Sequence, residues 1–250
     1  MSAAESRTVL VTGGGRGIGR AIALRFADAG ARVFVNFFVN REAAEKTARD
    51  VELRGGTAHL LQADLKDPAE VRRLVAEVAH VAGRLDVLVS NAASGVLRDG
   101  LELSAKQWDW VMATNARALL ILAQEASRIM TSGGRIIALS SLGSRRVIQG
   151  YASIGVSKAA LEGLTRYLAV ELAAKGITVN TVSAGAVETD VWQAIPEGTA
   201  ALAAIRARTP GGALVTADEV AGVVYFLASP AAQAIRGQIL TVDGGYSLLA

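Results

Sequence analysis

Seven short apolar runs alternate with helix-period segments along this 250-residue chain. The runs are Thr8–Val11, Arg32–Asn36, Ala58–Leu61, Val87–Ser90, Arg135–Leu139, Thr178–Val182 and Gln238–Val242. Helical spacing fills roughly 17–29, 41–54, 68–82, 104–130, 152–174 and 216–228. Strands that are apolar throughout need cover on both faces, and the intervening helices supply it. The pattern predicts a single doubly wound α/β domain over 1–250, a seven-stranded parallel sheet with helices on both faces. No linker, repeat or low-complexity tract divides it, and a hydrophobic fraction of 51% is ample for its core. One stretch breaks the rhythm: 186–215, with Trp192, Pro196, Gly198, Pro210, Gly211 and Gly212. It follows the C-terminal end of a strand, where open α/β sheets bind ligands, so it is predicted to cover the substrate. A merely structural helical insertion is the alternative.

Thr12-Gly13-Gly14-Gly15-Arg16-Gly17-Ile18-Gly19 joins the first strand to the first helix. Glycines allow a tight turn and close backbone approach, and a helix N-terminus favours a pyrophosphate. Strand, glycine loop and helix in this order are the dinucleotide context of a Rossmann fold. Gly13, Gly15, Arg16, Gly17, Ile18 and Gly19 are therefore expected at the cofactor. The second strand runs into Asn36-Phe37-Phe38-Val39-Asn40-Arg41 and meets no carboxylate before Glu42. An acid there would hold the ribose of NAD and repel a 2′-phosphate. Its absence predicts NADPH, with Phe37, Asn40 and Arg41 nearby and Arg16 and Arg41 able to pair with the phosphate. Arginine simply exposed at a helix start is the alternative. Asp64, after the third strand, could meet the adenine amino group or cap the helix near Pro68.

Tyr151 stands seven positions before Lys158, with Ile154 between them. A helix running through Tyr151 would bring all three to one face. A phenol near an ammonium can act as an acid or oxyanion donor, because the positive charge favours the phenolate. Isoleucine can do neither. Ser141, after the fifth strand, is a candidate for orienting substrate, or for closing a turn.

Taken together, the chain resembles the short-chain dehydrogenase/reductase family over essentially its whole length. The resemblance rests on Thr12 to Gly19, Asp64, Asn91-Ala92-Ala93, Asn115, Ser141, Ser157-Lys158-Ala159-Ala160, Asn180 and Val242-Asp243-Gly244-Gly245. Most members carry the catalytic tyrosine four residues before the lysine, where this chain has Ile154. Enoyl-acyl-carrier-protein reductases of the family have six residues between tyrosine and lysine, as Tyr151 and Lys158 do. The stretches 91–97, 140–144, 155–162 and 235–238 are similar to the FabL type, an NADPH-dependent bacterial enoyl reductase. Ser141 replaces the second tyrosine of other enoyl reductases, as in the FabL pattern, and Ala184-Gly185 replaces the usual proline-glycine.

The resemblance implies hydride transfer from NADPH to the β-carbon of a trans-2-enoyl thioester in fatty acid synthesis. Tyr151 would stabilise the enolate and Lys158 hold the nicotinamide ribose. Asn91 and Asn115 would fix backbone and water near the nicotinamide, or be purely structural. Leu65 and Gly185 would line the cofactor, and Thr189 would touch its carboxamide. Three other readings stay open. They are an enoyl-CoA reductase of secondary metabolism, a 3-oxoacyl or other carbonyl reductase, and a non-catalytic NADPH-binding regulator. Ile154 argues against the second and the Tyr151/Lys158 pair against the third. The substrate carrier would be acyl carrier protein or coenzyme A. A homotetramer through the helices at 104–130 and 152–174 is also implied.

Composition narrows the chemistry further. With no cysteine there are no disulfides, thiolate metal sites or cysteine nucleophiles, and His59 and His80 sit in no ligand spacing, so no metal is expected. The formal net charge of +3 is spread along helices, unlike a nucleic-acid arm. No run of eighteen apolar residues predicts a membrane span, and the N-terminus lacks the basic start and apolar core of a secretory signal. A cytoplasmic location is expected.

Overall fold

A computed structural model describes residues 6–131, 133–189 and 198–249. Seven parallel strands form one sheet: β1 (Thr8–Val11), β2 (Arg32–Phe37), β3 (Thr57–Gln62), β4 (Val87–Ser90), β5 (Arg135–Ser141), β6 (Thr178–Ala184) and β7 (Ile239–Val242). Their order is β3-β2-β1-β4-β5-β6-β7. The helices are α1 (Gly17–Ala27), α2 (Arg41–Leu53), α3 (Pro68–Ala82), α4 (Ala105–Met112), α5 (Ala118–Ile129), α6 (Ala152–Glu171), α7 (Gly198–Arg208) and α8 (Ala217–Leu227).

Two cores sandwich the sheet. On one face α1, α2 and α8 bury Ile22, Phe26, Val51, Val220 and Val224 against Val9, Val11, Val33 and Val35. On the other, α3, α5 and α6 bury Val71, Leu74, Leu119, Leu122 and Leu161 against Leu10, Phe34, Leu88 and Ile136. Successive residues of one strand thus feed opposite cores, which is why the central strands read as unbroken apolar runs. Local chemistry sets the helix starts. Asp67 accepts from the Ala69 amide at 2.8 Å ahead of Pro68, and Thr216 and Glu219 close a capping box on α8.

One expectation of helical continuity is corrected. Residues 104–130 are not one helix: a π turn at Ala113–Arg117 separates α4 from α5, and Ser104 caps α4. Periodicity cannot see that turn, because it shifts the backbone without changing the apolar spacing. Helix α6 starts at Ala152, in line with the 152–174 segment, so the condition that the helix run through Tyr151 is not met: Tyr151 is its N-cap residue at φ −101°, ψ 13°. The 186–215 segment carries α7, and Val187 bridges Val215 where it returns to the sheet. Trp192 and Pro196 lie outside the described residues.

Candidate active site

The strand order reverses between β1 and β4, the place where sheets of this kind open a crevice at their C-terminal ends. The glycine loop borders it. Asn91 laces that loop, its amide donating to Thr12 Oγ1 at 2.9 Å and its Nδ2 to the carbonyls of Thr12 and Gly13 at 2.9 and 3.1 Å. Thr47 Oγ1 donates to the Gly15 carbonyl at 3.0 Å. A Cβ on Gly19 would lie 2.3 Å from Gly13 O, so only glycine lets α1 start so near the turn. Arg16 is an exposed N-cap residue with no side-chain capping bond, and Gly17 and Ile18 open the helix. Thr189 reaches the loop from β6: its Cγ2 is 3.4 Å from the place of a Gly17 Cβ. Gly185 packs so tightly on Asp243 that a Cβ would approach Asp243 Cβ to 2.8 Å.

At the end of β2 the Arg41 guanidinium lies 5.3 Å over the Phe37 ring and 3.7 Å from Glu45. Asn40 caps α2, accepting from the Ala43 amide at 2.9 Å, so its side-chain oxygen is already engaged. Asp64 does not cap α3; Asp67 does. Asp64 instead accepts from the Lys66 amide at 3.1 Å and pairs with Lys66 Nζ at 3.0 Å, beside the buried Leu65. A helix N-terminus without an acid in its first turn, a close-packed glycine loop and cations beyond β2 fit a phosphorylated dinucleotide.

Ser141 ends β5, and Tyr151 opens α6 next to it. The phenol rests on Gly143, where a Cβ would meet Cδ1 and Cε1 at 2.6 Å. Burial pushes the Tyr151 phenol up, and the neighbouring Ser141 hydroxyl pulls it partly back. Ser141 Oγ is nonetheless buried without a well-formed hydrogen bond. The two hydroxyls are thus in electrostatic reach while Ser141 keeps a hydrogen bond to give. A buried polar atom of this kind calls for a partner, and a substrate carbonyl oxygen is of the right chemistry. The Arg98 amide donates to the Gly150 carbonyl at 2.6 Å, and the Arg98 backbone forms an isolated bridge with that of Tyr151.

Lys158 is buried and its Nζ donates to the Leu139 carbonyl at 2.7 Å. Burial pushes the ammonium down to about 8, against the upward pull of Glu162. Ile154, one turn before Lys158, packs on Gly95 so closely that a Cβ there would lie 2.2 Å from Ile154 Cγ1. Asn115, in the π turn, accepts from the Ser94 amide at 2.8 Å and donates to the Ser94 carbonyl and Ser157 Oγ at 2.9 Å each. Ser157 Oγ in turn donates to the Ile154 carbonyl at 2.7 Å. Asn91 and Asn115 are therefore both engaged in structural bonds.

Sequence reasoning missed Glu162 and Ser144, which bond to each other beneath this site. The available signal was an acid four residues after Lys158, hence on the same helical face. Among the described residues no group of three or more histidines, cysteines and acids is placed to hold a metal ion. None of the described helices is long and apolar enough to cross a membrane.

The doubly wound fold and glycine loop are those of a dinucleotide-dependent oxidoreductase, and the chain belongs to the short-chain dehydrogenase/reductase family. A family model described as enoyl-(acyl carrier protein) reductase matches residues 13–247. The chain is 42% identical over 254 residues to a 1-cyclohexenylcarbonyl-CoA reductase of Streptomyces collinus, spanning 99% of this chain and 89% of that protein. It is 36% identical to versicolorin reductase 1 of Aspergillus parasiticus, covering 96% of each. Among solved structures, a Burkholderia cenocepacia short-chain dehydrogenase in complex with NADP superposes with a TM-score of 0.88 at 39% identity, covering 96% of this chain and 98% of the other. A Serratia marcescens short-chain dehydrogenase/reductase gives 0.91 at 36% identity, with the same coverage.

Proposed function

We propose that this protein is an NADPH-dependent enoyl-thioester reductase, acting on a 2-enoyl group carried by coenzyme A in secondary metabolism. Its cofactor is NADP(H), in keeping with the acid-free end of β2 and the NADP bound by a similar structure. The observation that carries the reading is a pair of placements. Ile154 fills the position one turn before Lys158 and is sealed on Gly95, while Tyr151 stands beside Ser141. A carbonyl reductase needs a proton donor at the oxygen bonded to the carbon that takes the hydride. In enoyl reduction the hydride goes two bonds further away, and only a distant oxygen needs stabilising.

When bound, the reduced nicotinamide supplies the hydride that the substrate's β-carbon accepts. Negative charge then builds on the thioester oxygen, where Tyr151 donates with Ser141 beside it. Such a donor, strongest where charge develops, is worth about 3 kcal/mol, on the order of a hundredfold in rate. Lys158 holds the ribose and keeps positive potential near the phenol, and the α-carbon takes a proton delivered by water. The glycine loop (Gly13, Gly15, Gly17, Ile18, Gly19) and Leu65 seat the dinucleotide, with Asp64 toward the adenine. Arg16 and Arg41 would hold its 2′-phosphate, and Thr189 its carboxamide. The described part of the insertion after β6, with α7, would lie toward the acyl group.

Coenzyme A is favoured as carrier by the 42% identical cyclohexenylcarbonyl-CoA reductase. Acyl carrier protein is the second reading, favoured by the description of the matching family model and the FabL-like spacing. Exposed Tyr167 and Val170 on α6 and Trp108 on α4 support assembly into a homotetramer. The test follows NADPH oxidation with 1-cyclohexenylcarbonyl-CoA, crotonyl-CoA, crotonyl-acyl carrier protein and a 3-oxoacyl thioester. Turnover of enoyl thioesters alone is expected, fastest on coenzyme A. Reduction of only the 3-oxoacyl thioester would overturn the proposal.

A further inference from the structure

Tyr151 precedes the first turn of α6 and follows an exposed loop, 145–149. Its backbone is tied on both sides, the amide donating to the Ile148 carbonyl at 3.1 Å and the carbonyl accepting from the Gly155 amide at 2.7 Å. Its ring rests on the 3₁₀ turn Leu142–Ser144, with Gly143 in contact.

That turn is fastened to α6 by one side chain. Glu162 is 4% exposed, and its Oε1 accepts from Ser140 Oγ at 2.7 Å and from Ser144 Oγ at 2.6 Å. Its Oε2 accepts from Arg145 Nε at 3.2 Å. Ser144 Oγ also lies 2.9 Å from the Ser141 carbonyl. The carboxylate therefore gathers the end of β5, the turn under the phenol and the first residue of the following loop. An acid this deep in a hydrophobic sandwich is costly unless fully bonded, and here each oxygen has a donor. Nothing in hydride transfer itself uses it.

We propose that Glu162 is the positioning residue of the displaced tyrosine: it latches the 140–145 segment to α6 so that Ser141 and Tyr151 face a common oxygen. This rests on the enoyl-thioester reading for the identity of that oxygen, but the latch itself is independent of it. Glu162 touches neither substrate nor cofactor. It acts through Ser140, Ser144 and Arg145, and its charge also bears on the Lys158 ammonium.

The experiment compares Glu162→Ala, Glu162→Gln and Ser144→Ala with the parent enzyme. Two readouts are taken, both with NADPH present: steady-state kinetics with crotonyl-CoA, and hydrogen exchange of backbone amides over 141–151. Glutamine keeps an oxygen for the serines and loses the Arg145 pair, so graded effects are expected. Alanine should lower kcat on the order of a hundredfold, as small misplacements of reacting groups do. Glutamine and Ser144→Ala should lower it about tenfold, with the KM for NADPH changed less than about threefold in all three. Exchange over 141–151 should speed up in the same order, while β1 and α1 stay protected. Unchanged exchange over 141–151 in Glu162→Ala would overturn the latch, as would a uniform loss of protection across the sheet. A parent enzyme that oxidises no NADPH with enoyl thioesters would instead overturn the functional reading, and the exchange pattern would still decide on the latch.

Discussion

Ile154 and Gly95 are in such close contact that a methyl group on the glycine would fall 2.2 Å from Ile154 Cγ1 and 2.5 Å from Cδ1. An apolar seal thus stands where many relatives would present a phenol, and the loop after β4 has given up its own side chain to admit it. Gly95→Ala should overpack this contact and cost about 1–3 kcal/mol of stability. Calorimetry would show a lower unfolding temperature, and adding Ile154→Ala should recover much of it. An unchanged temperature in the single variant would mean the loop yields freely.

Tyr151→Phe removes one hydroxyl and keeps the ring on Gly143. The expected loss in kcat is on the order of a hundredfold or more with enoyl thioesters, with NADPH affinity unaltered. Fluorescence titration of NADPH alongside steady-state turnover separates the two. Full turnover in this variant would remove Tyr151 from the mechanism.

Burial lowers Lys158 to about 8, and Glu162 opposes the fall. The charged form prevails below that value and is lost above it. Activity that needs the ammonium should therefore decline as pH rises through about 8, giving an alkaline limb in the kcat profile. Glu162→Gln withdraws the opposing carboxylate, so the limb should move to lower pH. A profile flat to pH 10 would deny the ammonium a role.

Arg41 lies over Phe37 with its charge only loosely matched by Glu45 at 3.7 Å. Arg41→Ala should weaken NADPH roughly tenfold, as loss of one charge-assisted bond does, and leave NADH within about twofold. Equal effects on both cofactors would show that the residue acts by packing.

Much of the architecture was legible in one dimension. All seven strands lie within one or two residues of their apolar runs, and in the central strands burial on two faces leaves no other residues suitable. The glycine loop was equally plain. Gly19 sits 2.3 Å (as a Cβ) from Gly13 O, and no other residue type fits such an approach. What escaped was local backbone geometry. The break at Ala113–Arg117 leaves the hydrophobic period intact and so sends no periodic signal, whereas the start of α6 at Ala152 was legible. Roles of polar residues were legible only in part: Asn40 turns out to cap α2, and Asp67 takes the cap that Asp64 could have filled.

The alternation of strands and helices, the glycine loop, the missing acid after β2 and the spacing of Tyr151, Ile154 and Lys158 were set by sequence alone, because each depends on neighbours along the chain. Tertiary structure decided that Ile154 seals on Gly95, that Ser141 stands beside Tyr151, and that Glu162 fastens the turn beneath the phenol. These contacts join the loop after β4 to α6, and the end of β5 to both ends of α6's first turns. Distances between segments are fixed by how the sheet stacks its helices, and no local pattern of residues encodes them.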